Sequence, residues 1–247
     1  MALPGPELFE RAGLKAWPGL EVEWDGRWVR RAAGGYTKRA NSVQSFDPAD
    51  DGDAPARLAA AAAWFRARHI RPTFRVTPQA GPGVLAALDA AGWPEVERSH
   101  LFAMELGSVA AGAGELHDLL DPRFLAAQQA LRGYDEAQLA RLKAVLGAVD
   151  GPGRGVVVYA EGRPVASGLM VIGDGVVVTG NVVTAPGERR KGHAAAMMRA
   201  GLAWARAAGA RLAALNVAAD NPGAQALYRG LGYSRRYDYS YRIAGDR

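Results

Sequence analysis

From Val176 the chain runs as an apolar, strand-like stretch, V-V-V-T-G-N-V-V, into Pro186-Gly187, then through Arg189, Arg190 and Lys191 to Gly192 and an alanine-rich helical segment. Few patterns constrain a fold as tightly as strand, tight turn, cation cluster, glycine and helix in that order. A helix N-terminus offers unpaired backbone N–H groups and the positive end of the helix dipole, and Gly192 lets the backbone approach a bound group closely. The pattern predicts an anion cradle, with a solvated basic turn capping an ordinary helix as the alternative. A phosphate-bearing ligand is the expected occupant.

Which phosphate ligand follows partly from what is missing. A nucleoside-triphosphate loop needs G-x-x-x-x-G-K-[ST], whereas Gly187 to Gly192 is followed by His193 and Ala194. The dinucleotide fingerprint fails as well, because Gly151-x-Gly153-x-Gly155 leads into a strand-like run and Gly112-x-Gly114 has no third glycine. What remains is P-x-x-R-x-x-G-x-A, carried by Pro186, Arg189, Gly192 and Ala194. Further on stands Asn221-x-x-Ala224-x-x-Leu227-Tyr228-x-x-x-Gly232-Tyr233. Together, over residues 156–243, these resemble the pyrophosphate loop and final helix of the GNAT N-acetyltransferase superfamily. Residues 28–30 and 35–42 are similar to a bacterial branch of it.

The resemblance implies an α/β fold, a sheet with flanking helices, and acetyl-CoA as cosubstrate. It implies that Arg189, Arg190, Lys191, Gly192, His193 and Ala194 hold the pyrophosphate, while backbone N–H groups of Val182, Val183 and Thr184 bind the thioester oxygen and the pantetheine arm. Asn221 either touches the pantetheine or caps its helix, two compatible roles. Tyr228 is cast as the general acid, a phenol of about pKa 10 facing a thiolate whose conjugate acid lies near 8.5, with plain packing as its other reading. No carboxylate stands in residues 176–183 to serve as base, so a water chain or Asn216 would relay the amine's proton; Glu161 falls in a hairpin turn. The expected activity is acetyl transfer from the CoA thioester to a small-molecule or peptide amine. A non-catalytic CoA-binding sensor or scaffold is the alternative that the missing carboxylate allows.

Composition narrows the setting. With 247 residues, 49% hydrophobic and 22% charged, the chain suits one large or two small domains. No run approaches a membrane span, and residues 1–29 are broken by prolines, glycines and charges, so neither anchor nor signal peptide is expected and the address is cytoplasmic. Zero cysteines exclude thiol catalysis and disulfides, and the four histidines lack ligand spacing, so no metal is expected. The net charge of +5 fits an anionic cofactor, and without basic runs interleaved with aromatics no nucleic-acid partner is expected. A monomer or homodimer is equally compatible.

A shift of 140 residues pairs Trp64 with Trp204, Arg66 with Arg206, Pro82-Gly83 with Pro222-Gly223, and Gly92-Trp93 with Gly232-Tyr233. Chance register in an alanine-rich chain is the alternative to two copies of one unit. As copies, they are a degenerate GNAT-like domain over residues 1–107 and a catalytic one over 114–247, with small residues between. Where the second copy carries cations the first has the acidic residues 47–53, and Leu88 stands where the second has Tyr228. Finer spacing predicts a helix over 6–17, a strand over 36–43, a helix over 115–132 and a closing strand over 233–243 with Tyr233, Tyr237, Tyr239 and Tyr241 on one face. Alternation along 36–43 would put Arg39 and Asn41 on one face, so these two, with Asn181 and Asn216, are candidate acceptor contacts. A charged edge strand that resists pairing is the other reading.

Overall fold

Proline in the first turn starts five of the seven α-helices among the described residues, where its missing N–H is no loss and its fixed φ favours the helix. The computed structural model describes residues 3–245. In chain order it has α1 (Pro6–Ala16), β1 (Glu21–Asp25), β2 (Trp28–Ala32), a 3-10 turn (Lys38–Ala40), β3 (Val43–Ser45), α2 (Ala54–Arg66), β4 (Thr73–Val76), α3 (Pro82–Ala90) and β5 (Glu95–Glu105). There follow β6 (Glu115–His117), α4 (Pro122–Arg132), α5 (Glu136–Gly147), β7 (Gly153–Ala160), β8 (Arg163–Gly173), β9 (Val176–Thr184), a 3-10 turn (Pro186–Glu188), α6 (His193–Ala207), β10 (Leu212–Ala218), α7 (Pro222–Gly230) and β11 (Ser234–Ile243). The elements α2, α3 and β5 are followed at the same sequence offset by α6, α7 and β11.

The eleven strands among the described residues form one mixed sheet in the order β1-β2-β3-β4-β11-β5-β10-β9-β8-β7-β6. Its middle is crossed over. The closing strand β11 lies antiparallel between β4 and β5, while β5 lies antiparallel against β10. Side chains alternate across the sheet, so Leu169 and Val171 of β8 join one core with Phe9, Trp17, Phe124 and Leu142, and Met170 joins the opposite core with Met197, Met198 and Leu202. A third cluster packs α2 and α3 on Trp28 and Phe74. Trp17 sits so close to β9 that a Cβ on Gly180 would fall 2.4 Å from its ring. Gly180→Ala should therefore overpack this contact and lower stability by about 1–3 kcal/mol, read as a drop in thermal midpoint.

Three elements depart from the spacing. Residues 115–132 are not one helix. Glu115–His117 pairs with β7 as an edge strand, and Asp121 caps α4 by accepting from the Arg123 N–H at 2.8 Å, one residue before the proline that opens the helix. Residues 36–43 are not a strand: the Asn41 amide oxygen accepts the N–H groups of Ala33 (2.7 Å) and Gly35 (3.0 Å), and its amide nitrogen donates to the Thr37 carbonyl. A side chain thus takes the hydrogen bonds that a ladder would have supplied. In β11, a register shift between Arg235 and Tyr237 turns Tyr233 into the α6 core while Tyr237 packs on the α1 side, so the four tyrosines do not share a face. The segment 107–114 has no regular structure and passes along α6, with Gly112 against the Ala196 carbonyl and the Ala200 N–H.

Candidate functional site

The site begins where two parallel strands part. β9 and β10 pair only from Val176↔Leu212 to Thr179↔Leu215. Beyond Thr179, Asn181 takes a left-handed φ of 49° and the register with β8 slips, so that Gly168 alone faces Asn181 and Val182. This bulge bends β9 away from β10 and frees backbone polar groups from the ladder. Side chains hold the bend in place. Gln128 donates to the Asn181 carbonyl (3.2 Å) and Arg132 to the Val182 carbonyl (3.1 Å), while the Asn181 amide donates to the Tyr36 hydroxyl (2.9 Å), itself 2.8 Å from the Tyr134 hydroxyl.

The opened strands line a cleft of about 830 Å³. Val182, Val183 and Thr184 form one wall, and Arg189, Arg190, Gly192, His193 and Ala194 form its mouth. Gly192 has φ 88° and leads into α6 with no side-chain cap, leaving the first N–H groups of a fifteen-residue helix to whatever enters. Arg190, at φ 63°, is also left-handed. Lys191 is not in the lining; its ammonium pairs with Glu188 at 3.1 Å. The hydrogen bond from Lys191, with His193 beside it, holds the Glu188 carboxyl below its usual range against the opposing pull of desolvation.

On the facing wall stand Asn216, Asn221 and Tyr228. Asn221 does cap α7, accepting from the Ala224 N–H at 3.0 Å, and lines the cleft as well. Tyr228 is buried, with its ring against Tyr233, and burial pushes its phenol up to about 12 while the charges of Arg132 and Arg39 pull the other way. Arg39 and Asn181 line the cleft. Asn41 does not, its amide being spent on the loop below. Spacing missed Arg132 and Glu188. Arg132 lies in the last turn of α4, where a cation complements the helix dipole anyway, so nothing in the sequence marked it out.

Behind the cleft is a buried polar cluster. Arg75 forms a two-pronged ion pair with Glu10, donating from Nε and Nη2 at 3.0 Å each, and Gln44 and Tyr237 donate to the same carboxylate at 2.8 Å. The Arg75 guanidinium lies 3.5 Å from the Tyr239 ring centroid and reaches Asn216 at 3.4 Å. Arg31 is also buried and donates to the Trp17 carbonyl; desolvation, with Arg75 beside it, pulls its guanidinium down to about 10. No helix among the described residues is long and apolar enough to cross a membrane, and no three metal-ligating side chains cluster among them.

A sheet whose parallel strands splay over a bulge, with a bare helix N-terminus at the mouth and a buried tyrosine on the next helix, defines an acetyltransferase of the GNAT type. The comparisons agree. A family model described as "Probable histone acetyltransferase Rv0428c C-terminal" matches residues 7–242, and the chain belongs to that family. "Uncharacterized N-acetyltransferase YobR" of Bacillus subtilis (strain 168) is 23% identical over 242 residues, covering 95% of this chain and 97% of that one. Among solved structures, a GCN5-related N-acetyltransferase from Kribbella flavida superposes with a TM-score of 0.74 at 21% identity, covering 100% of this chain and 98% of its own. A tandem GNAT protein from the clavulanic acid biosynthesis pathway does so at 0.62 and 16%, covering 100% and 90%. The chain is an acyltransferase.

Proposed function

We propose that this chain transfers an acetyl group from acetyl-CoA to an amine, at one cofactor site per chain. The observation that carries it is that the uncapped α6 N-terminus and Tyr228 stand on one continuous cleft opened by the β9 bulge. Acetyl-CoA supplies an activated acyl group. Arg189, Arg190 and the amides from Gly192 onward would hold its pyrophosphate, and the backbone of Val182, Val183 and Thr184 its pantetheine and thioester. The nitrogen bonds to the acyl carbon as the carbon–sulfur bond breaks. One proton moves, in net, from nitrogen to sulfur.

Tyr228 handles that proton. A phenol near 12 stays protonated at neutral pH and is a weak acid toward a thiolate of about 8.5, so donation must be coupled to uptake of the proton that the nitrogen sheds. In this reading residues 1–107 are a degenerate copy of the catalytic unit at 114–247. The acidic residues 47–53 take the place of an anion loop, and Asp53 opens α2 in a left-handed conformation without capping it by its side chain. A single site follows. Calorimetry with acetyl-CoA should give one equivalent per chain, and Arg189→Glu should weaken binding by about 1.5–3 kcal/mol, the scale of a charge-assisted hydrogen bond. Two equivalent sites, or an unchanged affinity, would place the cofactor elsewhere.

A further inference from the structure

The transfer end of the cleft has an unusual charge balance. Arg39 enters from the loop after β2, half-buried, its guanidinium 5.9 Å from the Trp17 ring centroid, and Arg132 enters from the end of α4. Both line the cleft together with Tyr228, and neither forms an ion pair with a carboxylate among the described residues, the nearby acids being taken by other cations. Glu188 is the one acid in the lining; it belongs to the mouth and is taken by Lys191 and His193. Below Arg39 opens a second recess of about 270 Å³, where Glu97 is taken by Lys38 at 2.6 Å. Deeper still, the carboxylate of Glu10 is taken by Arg75, and the buried Arg31 beside it donates to the Trp17 carbonyl. Every acid that lines the cleft or the recess is therefore already paired, while Arg39 and Arg132 are not.

We propose that the acceptor is a small amine that carries a carboxylate beside the nitrogen, an amino acid, with Arg39 and Arg132 as the groups that receive it. This rests on the acetyltransferase reading and names its acceptor chemistry. Arg39 is half-buried with no counter-charge, Arg132 stands exposed beside it on the cleft wall, and the planar donor fork of a guanidinium matches a carboxylate. A cationic acceptor, such as a lysine in a basic peptide or a polyamine, would add like charge to a wall that offers no acid to receive it. The same positive surroundings favour the neutral, nucleophilic form of an amine, which eases the task left open by the absence of a carboxylate base.

The test is thiol release from acetyl-CoA by the full chain, with α-amino acids, their carboxamides, a lysine-rich histone-tail peptide and spermidine as acceptors. Amino acids should show kcat/KM at least about tenfold above their carboxamides, and Arg39→Ala should raise KM for the acids by roughly 10- to 100-fold while leaving KM for the carboxamides and acetyl-CoA affinity unchanged. Arg39→Lys should recover part of the loss, which a merely structural role beside Trp17 would not show. Preference for the peptide or spermidine, or equal loss with acids and carboxamides, overturns this inference alone. Turnover of none of them, without acetyl-CoA binding, overturns the acetyltransferase reading with it.

Discussion

Tyr228→Phe is expected to lower kcat by about 10²- to 10⁴-fold and to leave acetyl-CoA affinity nearly unchanged. The ring is buried against Tyr233 and the Phe variant keeps that packing, so the change removes one hydroxyl on the cleft and little else. Because the phenol sits near 12 and the leaving thiolate's conjugate acid near 8.5, the deficit should grow with leaving groups of higher pKa, which need the proton more. Measuring kcat for the variant beside its acetyl-CoA dissociation constant separates the roles. Near-normal turnover would make Tyr228 a packing residue and leave the thiolate to solvent.

Glu10→Gln should be the most destabilising of the conservative changes. It leaves Arg75 buried with no counter-charge, and breaking a buried pair in this way costs about 3–5 kcal/mol. The double variant Glu10→Leu with Arg75→Met should recover most of that, since the two charges are then removed together. Denaturant midpoints for the two variants decide the matter; equal loss in both would assign the effect to packing. Burial alone would raise the Glu10 carboxyl, but the charge and hydrogen bonds of Arg75, with Tyr237 and Gln44, outweigh it and hold the group low. A depressed carboxyl contributes its stability above the unfolded value of about 4.3, and that contribution is lost as pH falls through the lower folded value.

What could be read in advance was local. The anion loop and the α7 motif are each short and contiguous, residues 186–194 and 221–233, so spacing within each was enough to single out Arg189, Gly192, Asn221 and Tyr228, which line the cleft. What could not be read depends on partners far off in the chain. Glu10 and Arg75 meet across 65 residues, and Arg132 reaches the bulge across 50. Residues 36–43 have the composition of a polar strand, yet one asparagine serving three backbone groups makes them a loop, and that loop is what carries Arg39 to the cleft. The alternation that nominated Arg39 was wrong as geometry for this segment, and it nominated Asn41 on the same ground.

The crossing of β5 and β11 at the centre of the sheet bears on how the chain is made. β4 has β3 on one side and must wait for β11 on the other, and Arg75 finds the Tyr241 hydroxyl 166 residues further along. During vectorial synthesis the early residues thus emerge from the ribosome with one sheet edge open and the Glu10–Arg75 cluster lacking Tyr237, Tyr239 and Tyr241. Pairings of such long sequence separation form slowly, because loop closure precedes any compensating contact. The nascent chain must carry this open edge until β11 arrives, unpaired over all of the synthesis that separates Val76 from Ser240.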